Sequence, residues 1–266
     1  NFNSMKKIII LIFLNFFIPH QLIAEDFINF SEGDIFESEI NLGKTSSGVE
    51  GFKIPLPKGK FKYILKSKLQ EIETAFLFTQ VEKDQLNWWI EGSVMEDTGG
   101  YLDEGTCKKK RWFHYHSETY KKNEFDIGYF CNKIHHYAMF RKSEFVVPDD
   151  DALADLVIKH KEYLLSQNFD RPEVMLLSVF SYVDYEKKRE LKLYYFVNPE
   201  SFGVPKQEFK KNLKLGKKWS KSNFNKKKLS KNPQHKKFIE EFKEISDDLL
   251  KRFNQLNNVN KAIAIN

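Results

Sequence analysis

Two histidines and a glutamate at alternating positions are the residues whose spacing most directly suggests chemistry. They are His114, His116 and Glu118, and alternate residues of a β-strand point to one face of a sheet. Two imidazoles and a carboxylate on one face suit a transition metal, and the histidine pair at 135–136 could add a ligand. Trp112 shares that face, however, and ladders of aromatic and histidine side chains often bind nothing. We therefore expect a ladder with no metal and no other cofactor, and a metal site is the alternative.

Three of the four tryptophans are candidates for stacking on a ligand. Trp88 and Trp89 are adjacent on a predicted strand, so their indoles face opposite sides of the sheet. Trp112 lies on another predicted strand. An exposed indole could stack on a sugar or a peptide, whereas indoles packed under helices would be ordinary core residues. The sequence leaves both interpretations open and favours the core.

Motifs of the common enzyme classes are missing from the sequence. It contains no G-x-S-x-G nucleophile elbow, no glycine-rich phosphate loop and no dinucleotide-binding fingerprint. His160 falls at helical spacing from Leu156 and Leu164, which indicates a core histidine and not a general base. We name no catalytic residue. These absences favour non-catalytic binding or envelope support, and the alternatives are a metal-assisted or serine hydrolase of the periplasm and a subunit of an envelope complex.

The amino-terminal residues have the three parts of a secretory signal peptide. Lys6 and Lys7 form a basic start, Ile8–Ile18 is uncharged and apolar, and Ala24 supplies the small residue of a cleavage site. The apolar run is shorter than the roughly 17–25 residues that a membrane-spanning helix needs. We expect residues 1–24 to be removed by cleavage after Ala24, and the remaining protein to be periplasmic or secreted.

The charge of the predicted mature chain is concentrated at its carboxyl-terminal end. Residues 25–105 hold 8 lysines and 16 acids, whereas residues 206–266 hold 17 basic residues and 6 acids. Within residues 206–237 there are 13 lysines and one acid, Glu208. Such a segment can be a solvated linker, or it can bind an anionic envelope surface or an envelope protein. Nucleic acid is not expected as a partner, because an exported protein rarely meets it.

The elements that must position these residues are mostly β-strands. Alternating apolar residues at 52–56 and 61–65, separated by Pro57-Lys58-Gly59, predict a β-hairpin. Short polar turns between the strands favour antiparallel pairing. The further predicted strands are Ala75–Val81, Leu86–Met95, Arg111–Ser117, Phe125–Cys131, Ile134–Phe140, Val174–Asp184 and Leu191–Val197.

Two helices complete the predicted elements. Acidic residues after Pro148 suit a helix amino terminus, and apolar residues follow at helical spacing as far as Leu164. Pro233 suits the first position of a second helix, and one apolar stripe runs from there to Leu256. The lysine-rich segment before it has at most a short helix near Phe209.

These elements predict an α+β fold with three parts. Residues 1–24 are the signal peptide, and residues 25–200 form an antiparallel sheet of seven to nine strands with one covering helix. Residues 201–266 form a lysine-rich connector and a carboxyl-terminal amphipathic helix that packs on the sheet domain. A helix with so apolar a stripe must bury it, and the sheet is the nearest apolar surface.

Cys107 and Cys131 are the only cysteines, and an even number in an exported chain favours one structural disulfide. A bridge that closes a loop of this length would stabilise the folded state by about 3 kcal/mol. We expect a thiol titration of the denatured, unreduced protein to find no reactive thiol. Two reactive thiols per chain would contradict the bridge.

Overall fold

The structure, a computed structural model, describes residues 28–44, 51–70, 73–96, 113–122, 127–139, 158–159, 162–163, 166–184, 187–210 and 213–259. It contains an eight-stranded antiparallel sheet, a two-stranded antiparallel sheet and a long carboxyl-terminal helix. The predicted α+β fold is therefore confirmed. The strands are β1 (Ile35–Phe36), β2 (Glu39–Asn41), β3 (Lys53–Pro55), β4 (Phe61–Gln70), β5 (Glu73–Glu82), β6 (Gln85–Glu96), β7 (Tyr115–Lys122), β8 (Ile127–Ala138), β9 (Val174–Asp184) and β10 (Arg189–Val197). They are followed by a 3-10 turn (Pro199–Phe202), helix α1 (Leu215–Lys221), a second 3-10 turn (Leu229–Lys231) and helix α2 (Pro233–Leu256).

The large sheet has the strand order β1-β4-β5-β6-β10-β9-β8-β7, and each neighbouring pair is antiparallel. β5 and β6 are joined by a two-residue turn in which Lys83 and Asp84 have φ values of 51° and 58°. Left-handed conformations at both central residues match the twist of antiparallel strands. β6 and β10 are distant in the chain and pair in the middle of the sheet, where Gly92 faces Leu193. This long-range pair joins the early strands to the late ones.

The alternation of side chains along the strands gives the large sheet two covered faces. One face packs against α2 and buries a large apolar cluster that includes Phe76 and Tyr195. The opposite face buries a smaller cluster that includes Leu77 and Trp89, and Tyr163 packs against it. Because both faces are covered, β9 is a nearly continuous run of buried residues and does not alternate with polar ones.

Helix α2 lies across the first of these faces. Pro233 occupies its first turn, where a missing amide hydrogen costs no intrahelical bond. Complete burial of a Leu or Phe side chain stabilises a fold by about 1.5–3 kcal/mol, so the stripe of α2 is a major source of stability. The buried residues of the helix are His235, Phe238, Ile239, Phe242, Ser246, Leu249, Leu250 and Phe253.

A buried polar cluster determines where α2 lies on the sheet. The hydroxyl of Ser246 in α2 lies 2.7 Å from that of Ser178 on β9 and accepts from the amide nitrogen of Asn132 on β8 at 3.2 Å. All three side chains are fully buried. Buried polar groups are costly unless they are hydrogen-bonded, so a shift of the helix along the sheet would break the cluster at a cost. The cluster therefore favours one position of the helix over its neighbours.

The hairpin predicted around Pro57-Lys58-Gly59 is wrong. β3 pairs with β2 in the small sheet, whereas β4 pairs with β1 and β5 in the large one. The side-chain amide of Asn257, just after α2, bonds the backbone nitrogen and oxygen of Lys53 on β3 at 2.9 and 2.7 Å. Asn257 thus takes the hydrogen bonds that a neighbouring strand would take. Pro55 and Pro57 also lack the amide hydrogens that a ladder with β4 would use.

Further elements differ from the prediction, among them the strand predicted at Arg111–Ser117, which is β7 and begins at Tyr115, and one element is only partly described. The strands predicted on either side of Asn132 are one strand, β8, because the amide of Asn132 is satisfied inside the core and does not turn the chain. The short connector helix is α1 and does not lie at Phe209. The covering helix predicted after Pro148 falls mostly outside the described residues. The part of it that the structure describes, residues 158–159, 162–163 and 166, is helical.

Phe242 tests the packing of α2 on the sheet. Its side chain is fully buried, and its ring centroid lies 6.1 Å from that of Trp88. Phe242→Asp removes the ring and buries an unpaired charge, so we expect the free energy of unfolding to fall by about 3–5 kcal/mol. The control Gln255→Asp adds the same charge at an exposed position of α2 and should cost less than about 1 kcal/mol. Urea denaturation measures both, and an unchanged midpoint for Phe242→Asp would contradict the packing.

Candidate functional site

An open groove lies between α2, the 3-10 turn Pro199–Phe202 and the loops that flank the small sheet. Its volume is about 920 Å³. Clefts that bind ligands usually have volumes of about 300–1,000 Å³. The groove has an apolar floor and charged walls, and we name it the α2 groove.

Aromatic and aliphatic side chains form the floor of the α2 groove. They include Trp88 of β6, Phe202, and Ile245 and Leu249 of α2. Trp88 is only 4% exposed, whereas Phe202 is 45% exposed. The rings of these two residues meet edge to face, with centroids 6.3 Å apart. Phe202 therefore presents the accessible aromatic surface, and Trp88 supports it from below.

The loop that forms one wall of the α2 groove is packed tightly onto β5. Gly59 has a φ of 130°, and a Cβ atom at this position would lie 1.7 Å from the side-chain nitrogen of Gln80. That nitrogen donates a hydrogen bond to the backbone oxygen of Lys58 at 3.3 Å. The conformation favours glycine here, and a larger residue would also require the Gln80 side chain to move. The wall is therefore held in place by β5.

Arg252 and Tyr195 connect the groove to the body of the protein. The guanidinium group of Arg252 donates to the backbone oxygens of Leu56, at 2.9 Å, and Ser38. The hydroxyl of Tyr195 on β10 donates to the backbone oxygen of Pro55 at 2.9 Å. These bonds fix the loops around the small sheet against α2 and the large sheet. A site whose walls are already in place loses less entropy when a ligand binds.

Charges of both signs stand on the walls of the α2 groove. Glu244 and Asp248 are exposed on the α2 side. The opposite wall carries Lys58 and Lys60, and Lys60 pairs with Glu37 at 3.6 Å between exposed side chains. Exposed ion pairs contribute little stability, so a ligand can replace this one at little cost. The groove can therefore hold an apolar surface between groups of opposite charge.

The structure brings His114 next to His136, whereas His116 packs on an aromatic ring. His114 precedes β7, and its Nε2 atom lies 3.4 Å from Nδ1 of His136 on β8. His116 stacks on Phe113, with ring centroids 5.8 Å apart. The ring of His136 also lies 5.8 Å from that of Trp219. The structure thus places a pair of imidazoles between the sheet and the lysine-rich connector.

Both members of this imidazole pair are neutral near pH 7. Burial, together with the charges of His136, Lys226 and His135, lowers the pKa of His114 to about 3, although a hydrogen bond with the backbone of Phe224 acts in the opposite direction. The pKa of His136 is also lowered, to about 4. Burial lowers it, and a hydrogen bond with the backbone of Trp219 partly offsets the effect of burial. The groups whose charges lower the pKa of His114 are basic, and none of them is a carboxylate of the kind that usually orients a general base.

Several residues singled out in the sequence lie outside the described residues. They are Cys107, Trp112, His160 and the side chain of Glu118. Within the described ranges, no group of three His, Cys, Asp or Glu residues could hold a metal ion. Cys131 is fully buried on β8 and has no free thiol. Its bridge to Cys107 stays a prediction, and so does the ladder without metal.

Trp89 lies on the sheet face opposite the α2 groove, beside a carboxyl group with a raised pKa. Its indole is 7% exposed and lies near the ring of Phe196, at a centroid distance of 6.3 Å. The pKa of Glu91 is raised to about 7. Burial raises it, and a hydrogen bond from the Trp89 side chain partly offsets the effect of burial. Burial and the charge of Glu91 raise the pKa of Tyr137. Trp88 and Trp89 are therefore both core residues, and neither offers an open face to a ligand.

The sequence matches no known protein family and no curated protein. No helix in the described part of the chain is long and apolar enough to cross a membrane. The α2 groove is therefore identified by its geometry and chemistry alone.

Phe202 is the groove residue that the sequence analysis missed. Asn198 accepts a hydrogen bond from the backbone nitrogen of Glu200 at 2.9 Å, and Pro199 begins the 3-10 turn. Gly203, with a φ of 81°, ends it in the left-handed conformation. An Asn-Pro start and a glycine stop mark a short capped helix. That pattern could have located the turn, although not the exposure of its last residue.

Glu91 gives the stability of the protein a specific pH dependence. Because burial raises its pKa from 4.5 to about 7, the folded protein holds a proton that the unfolded chain releases. The resulting stability is present below pH 4.5 and is lost as the pH rises through 7. We expect Glu91→Gln to be more stable than the wild type by about 2–3 kcal/mol at pH 8, with a much smaller difference at pH 4.5.

Urea denaturation of both proteins from pH 4.5 to pH 8 measures this difference. Protonation of the imidazole pair in acid acts in the opposite direction, but it is common to both proteins and cancels. The control Glu82→Gln removes a carboxylate at the exposed end of β5 and accounts for the general loss of a charge. A Glu91→Gln difference that does not grow with pH would show that the carboxyl is ionised normally.

Proposed function

We propose that this chain is an exported envelope protein that binds a partner without catalysis, and that the α2 groove is the binding site. The observation that carries the proposal is the concave apolar floor, with Phe202 exposed, between two charged walls. Export rests on the signal peptide expected in residues 1–24. A preformed groove with an aromatic anchor point is typical of recognition sites.

The chemistry of the groove favours a peptide segment as the ligand. Apolar side chains would pack on Phe202 and Ile245, and charged side chains would lie against Glu244 on one wall and Lys58 on the other. A polypeptide can carry apolar groups and charges of both signs within a few residues. A fatty acid or an acidic glycan would leave the Glu244 wall unpaired. Buried apolar anchors within a charged rim are the usual anatomy of such interfaces.

The alternative functions have less support. The described walls of the groove carry no histidine, and the imidazole pair of His114 and His136 lies beside the connector instead. A periplasmic hydrolase would need a base, an acid and a nucleophile that converge in a cleft. An envelope-complex subunit that used α2 as its interface would expose the apolar stripe of that helix, and the stripe is buried.

Selection from a display library of random 12-residue peptides, followed by fluorescence anisotropy with the selected peptides, tests the proposal. Ile245→Glu places a charge on the groove floor, and we expect it to weaken peptide binding at least about tenfold. Phe202→Ser removes the exposed ring and should weaken binding by a similar factor. Phe202 is 45% exposed, so this variant remains informative if Ile245→Glu impairs folding.

The matched control is Ile158→Ser, which removes an apolar side chain that is 37% exposed and does not line the α2 groove. It should bind the selected peptides as the wild type does. If no peptide is selected, or if the selected peptides bind the Phe202 and Ile158 variants equally well, the α2 groove is not a peptide-binding site.

A further inference from the structure

The described part of the lysine-rich segment of residues 206–237, here the basic connector, contains buried residues and is not a solvated linker. Its Phe224 is 2% exposed, and the ring lies 4.7 Å from that of His235 in α2. The side-chain oxygen of Gln207 accepts a hydrogen bond from the backbone nitrogen of Asn223 at 2.8 Å, which closes the segment into a loop around α1. The described lysines of the connector are therefore attached to a backbone whose conformation is fixed by packing and hydrogen bonds.

One buried lysine anchors the basic connector to the sheet. Lys218 of α1 is fully buried, and its ammonium group lies 3.2 Å from the carboxylate of Glu173 and 3.1 Å from the backbone oxygen of Met139. A buried ammonium group is costly unless it is paired and hydrogen-bonded, so this contact requires one orientation of α1. Lys217 and Lys221, on the same helix, are consequently exposed.

Several exposed lysines of the described connector keep an uncompensated positive charge. Lys206 pairs with Asp170 at 2.9 Å, and Lys237 pairs with Glu241 at 3.2 Å. Other exposed lysines of the connector form no ion pair with any described residue, namely Lys214, Lys217, Lys221, Lys226, Lys227, Lys231 and Lys236. Folding therefore retains this charge at the surface and does not neutralise it.

The ammonium group of one connector lysine contacts the backbone of another. The ammonium group of Lys228 donates to the backbone oxygen of Lys221 at the end of α1. Burial lowers the pKa of Lys228, and the charge of Lys221 lowers it further. Positive charges held together repel, and an anion that approaches them relieves the repulsion. The arrangement favours a negatively charged partner.

We propose that the basic connector docks the protein on an anionic lipid surface, with headgroup phosphates as the ligand. Each lysine near such a surface strengthens binding about fivefold, and lysines on a folded backbone need no ordering when they bind. Lipid is favoured over nucleic acid because the expected signal peptide directs the chain out of the cytoplasm. The proposal does not depend on a ligand in the α2 groove.

Co-sedimentation of the full chain with vesicles tests the proposal. The vesicles are pure phosphatidylcholine, or phosphatidylcholine with 30% phosphatidylglycerol, at low and at high salt. We expect binding to the anionic vesicles alone, and its loss in 0.5 M salt, where charges are screened within a few ångströms. Replacing Lys226, Lys227 and Lys231 together with glutamine should weaken binding at least about twentyfold. The same three positions changed to arginine should keep it.

The matched control replaces Lys62, Lys83 and Lys187 with glutamine, which removes the same charge from exposed positions outside the basic connector. It should bind the vesicles nearly as well as the wild type, and both glutamine variants should keep the wild-type melting temperature. If both glutamine variants lost vesicle binding equally, binding would depend on net charge alone, and the basic connector would not be a docking surface. Binding to neutral vesicles would also contradict the proposed lipid-docking role. So would tighter binding to a 20-base-pair DNA duplex, if the glutamine substitutions in the connector weakened that binding.

Discussion

The packing of α2 across one face of the large sheet is the contact on which most of the structure depends. The helix buries eight residues, and Phe242 and Leu249 on its middle turns lie against the strands. Apolar burial supplies the energy of this contact but allows sliding, because it is not directional. The hydrogen bonds of Ser246 to Ser178 and Asn132 are directional, so they favour one position of the helix along the sheet. One helix is therefore held both strongly and in one position.

The carboxyl-terminal end of α2 organises the small sheet. Asn257 bonds the backbone of β3, and Arg252 bonds the loops on both sides of the small sheet, so a helix from the end of the chain completes elements near its beginning. The ring of Phe52 stacks on that of Phe253, with a centroid distance of 6.3 Å. The walls of the α2 groove thus come from segments that are about 200 residues apart in the chain.

The amino-terminal end of α2 has a different role, because it receives the basic connector through the contact between His235 and Phe224. One helix consequently supports the α2 groove at one end and a lysine-rich surface at the other. Glu91 and the imidazole pair, whose pKa values are strongly shifted, do not line the α2 groove. Glu91 is on the opposite sheet face, and the pair of His114 and His136 is between the sheet and the connector. Their shifts reflect burial, so they bear first on stability.

Local sequence pattern determined the elements whose side chains repeat regularly. The extents of β5 and β6 and the apolar stripe of α2 were predicted nearly to their ends, because apolar runs between turn residues mark strands and apolar residues at helical spacing mark a helix. The partner of β3 could not be predicted, because the group that bonds Lys53 is Asn257, 204 positions away. Nor could the sequence distinguish a buried Trp88 from an exposed Phe202, since both are large aromatic residues near turns or strand ends. Only the tertiary structure decides which ring the core encloses, because exposure depends on what α2 covers when it packs on the sheet.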